Sequence, residues 1–260
     1  MSSKIYKIQN QKEPITCIAA YTYPMAKILD NHCDMILVGD SLGMSIYGMK
    51  NTQDVSVQMM IDHGKAVVRG AKKALIIVDI PCGSFEESKE QALETAQKII
   101  NQTNCDAVKI ETLPQTMETI EFLVQNNIPV MGHVGLLPQT VKDLQGYKYQ
   151  GRDENSAAQI LQTAIDLEKC GAFAIVIEGV PASLASSITK SIQIPTIGIG
   201  ASNDCSGQVL VIDDLIGINQ DFKPRFVKQY ANLSNDIGKV VVEFCDEVKN
   251  RKFPTKENLI

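Results

Sequence analysis

A short apolar segment that ends in a carboxylate occurs four times along this chain, and this recurrence constrains the fold more than any other feature. The four segments are residues 35–40, 75–79, 107–111 and 174–178, which end in Asp40, Asp79, Glu111 and Glu178. The uninterrupted apolar residues of the first segment predict a strand that is buried on both faces, as in parallel sheets, and the other three segments follow the same pattern. Each carboxylate then lies where a buried strand meets solvent or a ligand.

The remaining segments complete a regular alternation of strands and helices. Strands are predicted at 15–21, 35–40, 75–80, 107–111, 129–133, 172–178, 195–199 and 208–212. Helices are predicted at 3–10, 24–31, 54–70, 84–100, 114–126, 155–170, 181–191 and 225–251, the last in one piece or in two with a break near 232–234. Such alternation implies parallel strands joined by right-handed crossovers. We therefore expect an α/β fold, a (β/α)₈ TIM barrel with a short N-terminal helix, as a single domain over residues 1–260. A doubly wound open sheet is the alternative.

Composition restricts the partners and the compartment. The 260 residues carry 25 Lys and Arg against 30 Asp and Glu, a net charge of −5, so nucleic acid and anionic membranes are not expected as partners. The seven cysteines show no C-x-x-C spacing, which favours a reducing cytoplasm over a disulfide framework. The N-terminus has no apolar signal region, and no apolar stretch reaches the ~20 residues that span a bilayer.

Functional residues of a (β/α)₈ barrel lie at the C-terminal ends of its strands. The four carboxylates and His133, which ends the fifth predicted strand, are therefore expected to converge on one rim. A single carboxylate after a strand commonly caps the next helix. Four of them at equivalent positions repel one another, and this repulsion requires a cation or protonation.

The ligand types favour magnesium as that cation. Asp40, Asp79 and Glu111 follow consecutive strands, and they offer hard oxygen donors without cysteine or clustered histidine. A magnesium site usually keeps positions open for water or substrate. A 2-oxo acid fits these positions through a carboxylate oxygen and its keto oxygen. The metal would then stabilise the enolate that forms when the adjacent proton is removed.

Further rim residues are assigned by position. Glu178 suits a general base whose pKa is raised by partial burial. Lys109 points to the same face as Glu111, two residues later, and either binds the substrate carboxylate or forms an ion pair inside the barrel. His133 and Ser41 are secondary candidates. The longest irregular segment, 134–154, is expected to be a lid or a binding loop.

At these residues the sequence resembles the 3-methyl-2-oxobutanoate hydroxymethyltransferase (ketopantoate hydroxymethyltransferase) family, from about Ile15 to Pro254. The motifs that carry the resemblance are jointly specific. They are Leu37–Met44, Val108–Glu111, Gly132–Leu136 with Pro138-Gln139, Gly146-Tyr147-Lys148 with Gln150–Arg152, Glu178–Pro181, Ile197–Ala201 and Gly207–Val211.

The resemblance implies a barrel of the phosphoenolpyruvate/pyruvate type that assembles as a homodecamer. It implies transfer of a hydroxymethyl group from 5,10-methylenetetrahydrofolate to 3-methyl-2-oxobutanoate, which gives 2-dehydropantoate and tetrahydrofolate in pantothenate biosynthesis. By resemblance, one Mg²⁺ is bound by Asp40, Asp79 and Glu111, substrate by Asp40, Ser41, Asp79 and Lys109, and the proton by Glu178.

Four positions depart from the family pattern, and three further hypotheses stay open. Thr22, Cys82, Ser202 and Asp213 differ from the residues usual in the family, which bears on contacts to the folate. A related magnesium-dependent lyase or mutase often carries a catalytic loop cysteine, and none is placed for it in this sequence. The second hypothesis is a Schiff-base aldolase that uses Lys109. The third is a protein that binds a 2-oxo acid without catalysis.

Overall fold

The computed structural model of the protein describes residues 2–141, 148–219 and 224–259. Within these residues, eight parallel strands follow one another in sequence order and close into a barrel, with β1 paired to β8. The strands are β1 (Ile15–Ala19), β2 (Met35–Val38), β3 (Leu75–Asp79), β4 (Ala107–Glu111), β5 (Val130–Gly135), β6 (Ala174–Glu178), β7 (Thr196–Ile199) and β8 (Gly207–Val211). The predicted barrel is confirmed, and the open-sheet alternative is wrong.

Helices lie before, between and after these strands. They are α1 (Ser3–Gln9), α2 (Tyr23–Leu29), α3 (Leu42–Ser45), α4 (Val57–Gly70), α5 (Lys89–Thr103), α6 (Met117–Gln125), α7 (Glu154–Lys169), α8 (Ala182–Ser191), α9 (Ile212–Leu215) and α10 (Leu233–Lys249). Short 3₁₀ helices lie at Pro114–Thr116, Pro138–Thr140 and Lys256–Asn258. The predicted N-terminal helix is confirmed as α1.

Two predicted helix starts are wrong. The helix predicted from residue 84 begins at Lys89, because the Ser88 side chain accepts a hydrogen bond from the Gln91 backbone N–H and caps the helix there. The tail predicted to be helical from residue 225 becomes helical only at Leu233. Before it, the Tyr230 N–H bonds to the Leu215 carbonyl instead of to a residue four positions earlier, so the segment is held in a loop.

Alternate residues of each strand fill the interior of the barrel. The buried apolar cluster takes Met35 and Leu37 from β2, and Leu75 and Ile77 from β3, with the intervening side chains on the opposite face. The cluster also contains Ile5 and Ile8 of α1.

The same alternation changes from apolar to polar at the C-terminal ends of the strands. Asp79 lies two residues after Ile77, Lys109 two after Ala107, and Glu178 two after Val176. Each of the three apolar residues belongs to the interior cluster. The polar side chains therefore sit at one end of the barrel interior.

The chain divides into two compact units. Met1–Val211 contains the barrel, and Ile212–Ile260 contains α9, α10 and the last 3₁₀ helix. A single domain over residues 1–260 stays a prediction. Among the described helices, none combines the length and the apolar composition that a bilayer-crossing segment requires.

Candidate active site

Five of the residues singled out in the sequence are buried together at the C-terminal end of the barrel. Asp79 and Glu111 are the last residues of β3 and β4, Lys109 lies within β4, His133 lies within β5, and Asp40 follows β2. Glu178, the last residue of β6, is partly exposed, with 15% of its side chain accessible. The parallel strands bring these side chains together because they all end at the same rim.

Lys109 of β4 contacts a side chain on each of the two neighbouring strands, β3 and β5. Its Nζ lies 3.2 Å from Asp79 Oδ1 and 3.4 Å from His133 Nδ1. An ammonium group can only donate hydrogen bonds, so His133 Nδ1 accepts and the proton of the neutral ring is on Nε2. His133 Nε2 lies 3.2 Å from Glu178 Oε2. These contacts order Asp79, Lys109, His133 and Glu178 into one row across the barrel end.

Backbone and hydroxyl contacts fix the end of β2 against this row. The Asp40 backbone N–H donates to Asp79 Oδ2 at 3.0 Å, so the loop after β2 is tied to the end of β3. The Ser41 and Tyr21 hydroxyls are 2.7 Å apart. Tyr21 is buried, and its carbonyl oxygen lies 2.7 Å from His63 Nδ1. Tyr21 and His63 were not among the predicted site residues.

Burial shifts the ionisation of the carboxyl groups toward the neutral form. It raises the pKa of Asp79 to about 7 and that of Glu178 to about 7. The pKa of Asp40 is also raised by burial, and that of Glu111 is raised well above its usual value by burial and by the Asp40 carboxylate. Each carboxyl therefore holds its proton more strongly than in water.

The two basic side chains shift in opposite directions. Burial opposes the charge on Lys109, but the carboxylates of Asp79, Asp40 and Glu111 outweigh it and raise the pKa of its ammonium. Burial and the Lys109 charge lower the pKa of His133 well below its usual value, so the ring is neutral. A protonated Lys109 is a poor nucleophile, which argues against the Schiff-base hypothesis.

Gln139 is a buried residue of the site that sequence reasoning missed. It lies in the 3₁₀ helix after β5, and its Nε2 donates to Asp40 Oδ2 at 2.8 Å and to the Ile80 carbonyl at 3.0 Å. The only available signal was its place in the Pro138-Gln139 pair of the family motif, since a glutamine in a loop carries no periodic pattern.

The residues present fit a hard divalent cation. Asp40, Asp79, Glu111 and Glu178 place four carboxyl groups at one barrel end, while Lys109 is the single Lys or Arg among the buried residues that the structure describes. Asp79 Oδ1 has an ion pair but no hydrogen-bond partner in the described part of the chain. No three His, Cys, Asp or Glu side chains of the described residues are arranged to hold an ion by themselves. Further ligands would therefore come from water or substrate.

Four further positions were singled out because they depart from the family pattern. Thr22 precedes α2 and makes no capping hydrogen bond with its side chain, and the Ser202 hydroxyl accepts from the Asp204 N–H. Asp213 belongs to the unit after the barrel, where burial raises its pKa. Burial and the neighbouring Glu86 raise the pKa of Cys82 to about 11, so it is a poor nucleophile. Of the predicted lid, residues 142–147, which include Gly146 and Tyr147, lie outside the described residues.

Comparison with known proteins decides the family. The model of the ketopantoate hydroxymethyltransferase family matches residues 1–256. The chain belongs to the ketopantoate hydroxymethyltransferase family. Its relatives named 3-methyl-2-oxobutanoate hydroxymethyltransferase include proteins from Rhizobium etli, 51% identical over 95% of this chain and 90% of the relative, and from Brucella canis, 48% identical over 100% and 94%.

Solved structures share the barrel fold of this ketopantoate hydroxymethyltransferase family member. Phosphonopyruvate hydrolase superposes with a TM-score of 0.64 at 13% identity, over 100% of this chain and 92% of that one. 2,3-Dimethylmalate lyase, a member of the PEP mutase/isocitrate lyase superfamily, superposes with a TM-score of 0.58 at 13% identity, over 100% and 90%. At these identities the similarity establishes the fold alone, which is the predicted (β/α)₈ barrel.

Proposed function

We propose that this chain is a 3-methyl-2-oxobutanoate hydroxymethyltransferase that uses Mg²⁺ and 5,10-methylenetetrahydrofolate to make 2-dehydropantoate and tetrahydrofolate. The observation that carries the proposal is the row from Asp79 to Glu178, in a chain about half identical to proteins of that name. A 2-oxo acid needs a positive group for its carboxylate and a base beside its ketone, and this row contains both.

Lys109 is proposed to bind the carboxylate of the 2-oxo acid. Its ammonium has three donors. It contacts His133 Nδ1 and forms an ion pair with Asp79 in which Oδ1 accepts no hydrogen bond. A remaining donor is proposed to bind a substrate oxygen. Ser41, whose hydroxyl is held by Tyr21, is the proposed second donor. Both donors are buried or partly buried, where a hydrogen bond to a carboxylate is stronger than in water.

Glu178 is proposed to remove the proton from the carbon next to the ketone. Burial raises its pKa to about 7, which matches a general base that works near neutral pH. His133 Nε2, which carries the ring proton, lies 3.2 Å from Glu178 Oε2 but has no hydrogen-bond partner among the described residues. The carbanion equivalent then attacks the one-carbon unit of the folate, and one water is consumed overall as tetrahydrofolate leaves.

Asp40, Asp79 and Glu111 are the proposed ligands of the magnesium ion. When bound, Mg²⁺ supplies positive charge that increases the acidity of the proton beside the ketone. The support for this ligand set is chemical. These three buried carboxyl groups face a single buried ammonium group, that of Lys109, among the described residues. Hard oxygen donors of this kind prefer magnesium.

We further propose that the enzyme works in the cytoplasm as a homodecamer, as the family resemblance implies. The side chains of Ile237, Val240, Val241, Phe244 and Val248 are exposed at helical spacing along α10. An exposed apolar stripe of this kind supports contact between subunits. The free cysteines among the described residues support a reducing compartment.

Deuterium exchange at C3 of 3-methyl-2-oxobutanoate tests the proposal. We expect exchange with Mg²⁺ alone, and formation of 2-dehydropantoate once 5,10-methylenetetrahydrofolate is added. Asp79→Ala should abolish metal-dependent substrate binding, whereas Asp166→Ala, which removes an exposed carboxylate of α7, should leave it unchanged. Absence of both exchange and turnover with Mg²⁺, Mn²⁺ and Co²⁺ would overturn the proposal.

A further inference from the structure

Gln139 contacts two of the four carboxyl groups, although none of the roles above involves it. Its side-chain Nε2 donates to Asp40 Oδ2 at 2.8 Å and to the Ile80 carbonyl at 3.0 Å. Its backbone N–H donates to both oxygens of Glu111, at 3.0 and 3.2 Å. One residue of the loop after β5 therefore holds a carboxylate that follows β2 and a carboxylate at the end of β4.

Chemistry determines the orientation of the Gln139 amide. The two groups that face Nε2 are a carboxylate oxygen and a carbonyl oxygen, and both can only accept. A flipped amide would place an oxygen against two acceptors. The NH₂ group must therefore face Asp40. The amide oxygen, Oε1, is buried without a hydrogen-bond partner among the described residues.

The backbone of Gln139 is itself fixed from a second loop. Its carbonyl accepts a hydrogen bond of 2.9 Å from Gln53 Nε2, which belongs to the loop between α3 and α4. Only 6% of Gln139 is exposed to solvent. The residue is thus held on both sides, and it can restrict the carboxylates that it contacts.

We propose that Gln139 is a positioning residue of the cation site, which orients Asp40 through its side chain and Glu111 through its main chain. The inference rests on the proposed magnesium site. Without these donors the two carboxylates would repel each other freely, and a cation would have to organise them when it binds. Loss of a hydrogen-bonding partner behind a metal ligand weakens metal affinity by about 10- to 100-fold.

Mn²⁺ binding to the full chain tests the proposal, with the signal of free Mn²⁺ in electron paramagnetic resonance as the measurement. Gln139→Met keeps the length and the backbone N–H but removes both side-chain donors. We expect its Mn²⁺ affinity to fall by at least about 10-fold, and the spectrum of the bound ion to change, because Asp40 is no longer held. Gln125→Met is the matched control, since it removes an exposed glutamine–carboxylate contact with Glu121 on α6. Its affinity should equal that of the wild type.

The outcomes separate the two proposals. If the wild type binds Mn²⁺, and Asp79→Ala does not, an unchanged affinity and spectrum in Gln139→Met would overturn the role of Gln139 and leave the magnesium site standing. If the wild type fails to bind Mn²⁺, the magnesium site and the role of Gln139 are both overturned. The melting temperature of Gln139→Met should shift by less than about 4 °C. If that variant does not fold, Gln139→Asn, whose amide is too short to reach Asp40, takes its place with the same expected loss.

Discussion

Asp79 and Lys109 are paired twice in this barrel, once by the sheet and once by their side chains. Their Cα atoms are register partners between β3 and β4, and Lys109 Nζ lies 3.2 Å from Asp79 Oδ1. Both side chains are almost completely buried. A buried charge is costly unless it has a partner, so the register of these two strands determines which carboxylate compensates the ammonium.

Replacing Lys109 by methionine is expected to destabilise the metal-free protein. The change leaves several buried carboxyl groups without their ammonium partner, and removal of one member of a buried pair costs about 3–5 kcal/mol. Urea unfolding in EDTA measures the loss. Lys169→Met breaks an exposed ion pair with Asp166 and should cost less than about 1 kcal/mol. Equal losses in the two variants would contradict the importance of the buried pair.

Glu178→Gln is expected to retain substrate binding and to lose deuterium exchange. The amide has nearly the shape of the carboxylate but cannot accept the proton, and a general base contributes about 10²- to 10⁴-fold to such a step. Isothermal titration with 3-methyl-2-oxobutanoate and Mg²⁺ measures binding, and proton NMR measures exchange. Exchange at the wild-type rate would require another base.

The pH profile gives a second test of the same residue. Burial raises the pKa of Glu178 from 4.5 to about 7, so the carboxyl is protonated and inactive as a base below that value. Exchange by the wild type should therefore increase as the pH rises through about 7 and then level off. A rate that is independent of pH between about 5 and 8 would exclude a base with this pKa.

Stability of the metal-free protein should fall as the pH rises. The pKa of Asp79 is raised from 3.8 in the unfolded chain to about 7, mainly by burial. Between these values the folded state binds more protons than the unfolded state, so the free energy of unfolding decreases with increasing pH. Urea unfolding in EDTA at about pH 5.5 and pH 8 should show this decrease. Saturating Mg²⁺ should reverse it at the higher pH, since a ligand of the folded state stabilises that state.

Asp79→Asn is the matched variant for this dependence. Asparagine does not titrate, so the variant should lose a part of the decrease in stability with pH. The same pH dependence in Asp79→Asn and in the metal-free wild type would contradict the raised pKa of Asp79.

Gly135→Ala is expected to disrupt both stability and catalysis. Gly135 ends β5 with φ of +96°, and a Cβ there would overlap the Glu178 carbonyl oxygen and contact Val180 Cγ1. The strand that carries Glu178 would have to move, at a cost of more than about 2 kcal/mol. Thermal unfolding and the exchange assay measure the two effects.

Gly83→Ala is the control for backbone conformation alone. Gly83 also has a positive φ, of +78°, but a Cβ there would meet nothing within 4 Å. Gly83→Ala should lower the free energy of unfolding by only about 1–2 kcal/mol and leave deuterium exchange unchanged. If Gly135→Ala cost no more than Gly83→Ala, the overlap with the Glu178 backbone would be unimportant.

Local signals in the sequence predicted the barrel but not all of its boundaries. The apolar segments that precede Asp79, Glu111 and Glu178 are strands because both of their faces are buried, and this pattern is visible in the residues themselves. The segment 225–232 was predicted to be helical and is not, because backbone hydrogen bonds such as that from Tyr230 to Leu215 hold it in a loop. Contacts with another part of the chain cannot be derived from periodicity.

The sequence by itself determined the strand order, the polarity of the strand ends and the clustering of carboxylates on one rim, because a parallel barrel brings all C-terminal strand ends together. Tertiary structure decided which of these groups meet. The pairing of Asp79 with Lys109 follows from strand register, and the contacts of Gln139 follow from the return of a loop over the barrel end. Such contacts join residues far apart in the chain, where the closure of the barrel, not the local pattern, sets the distance.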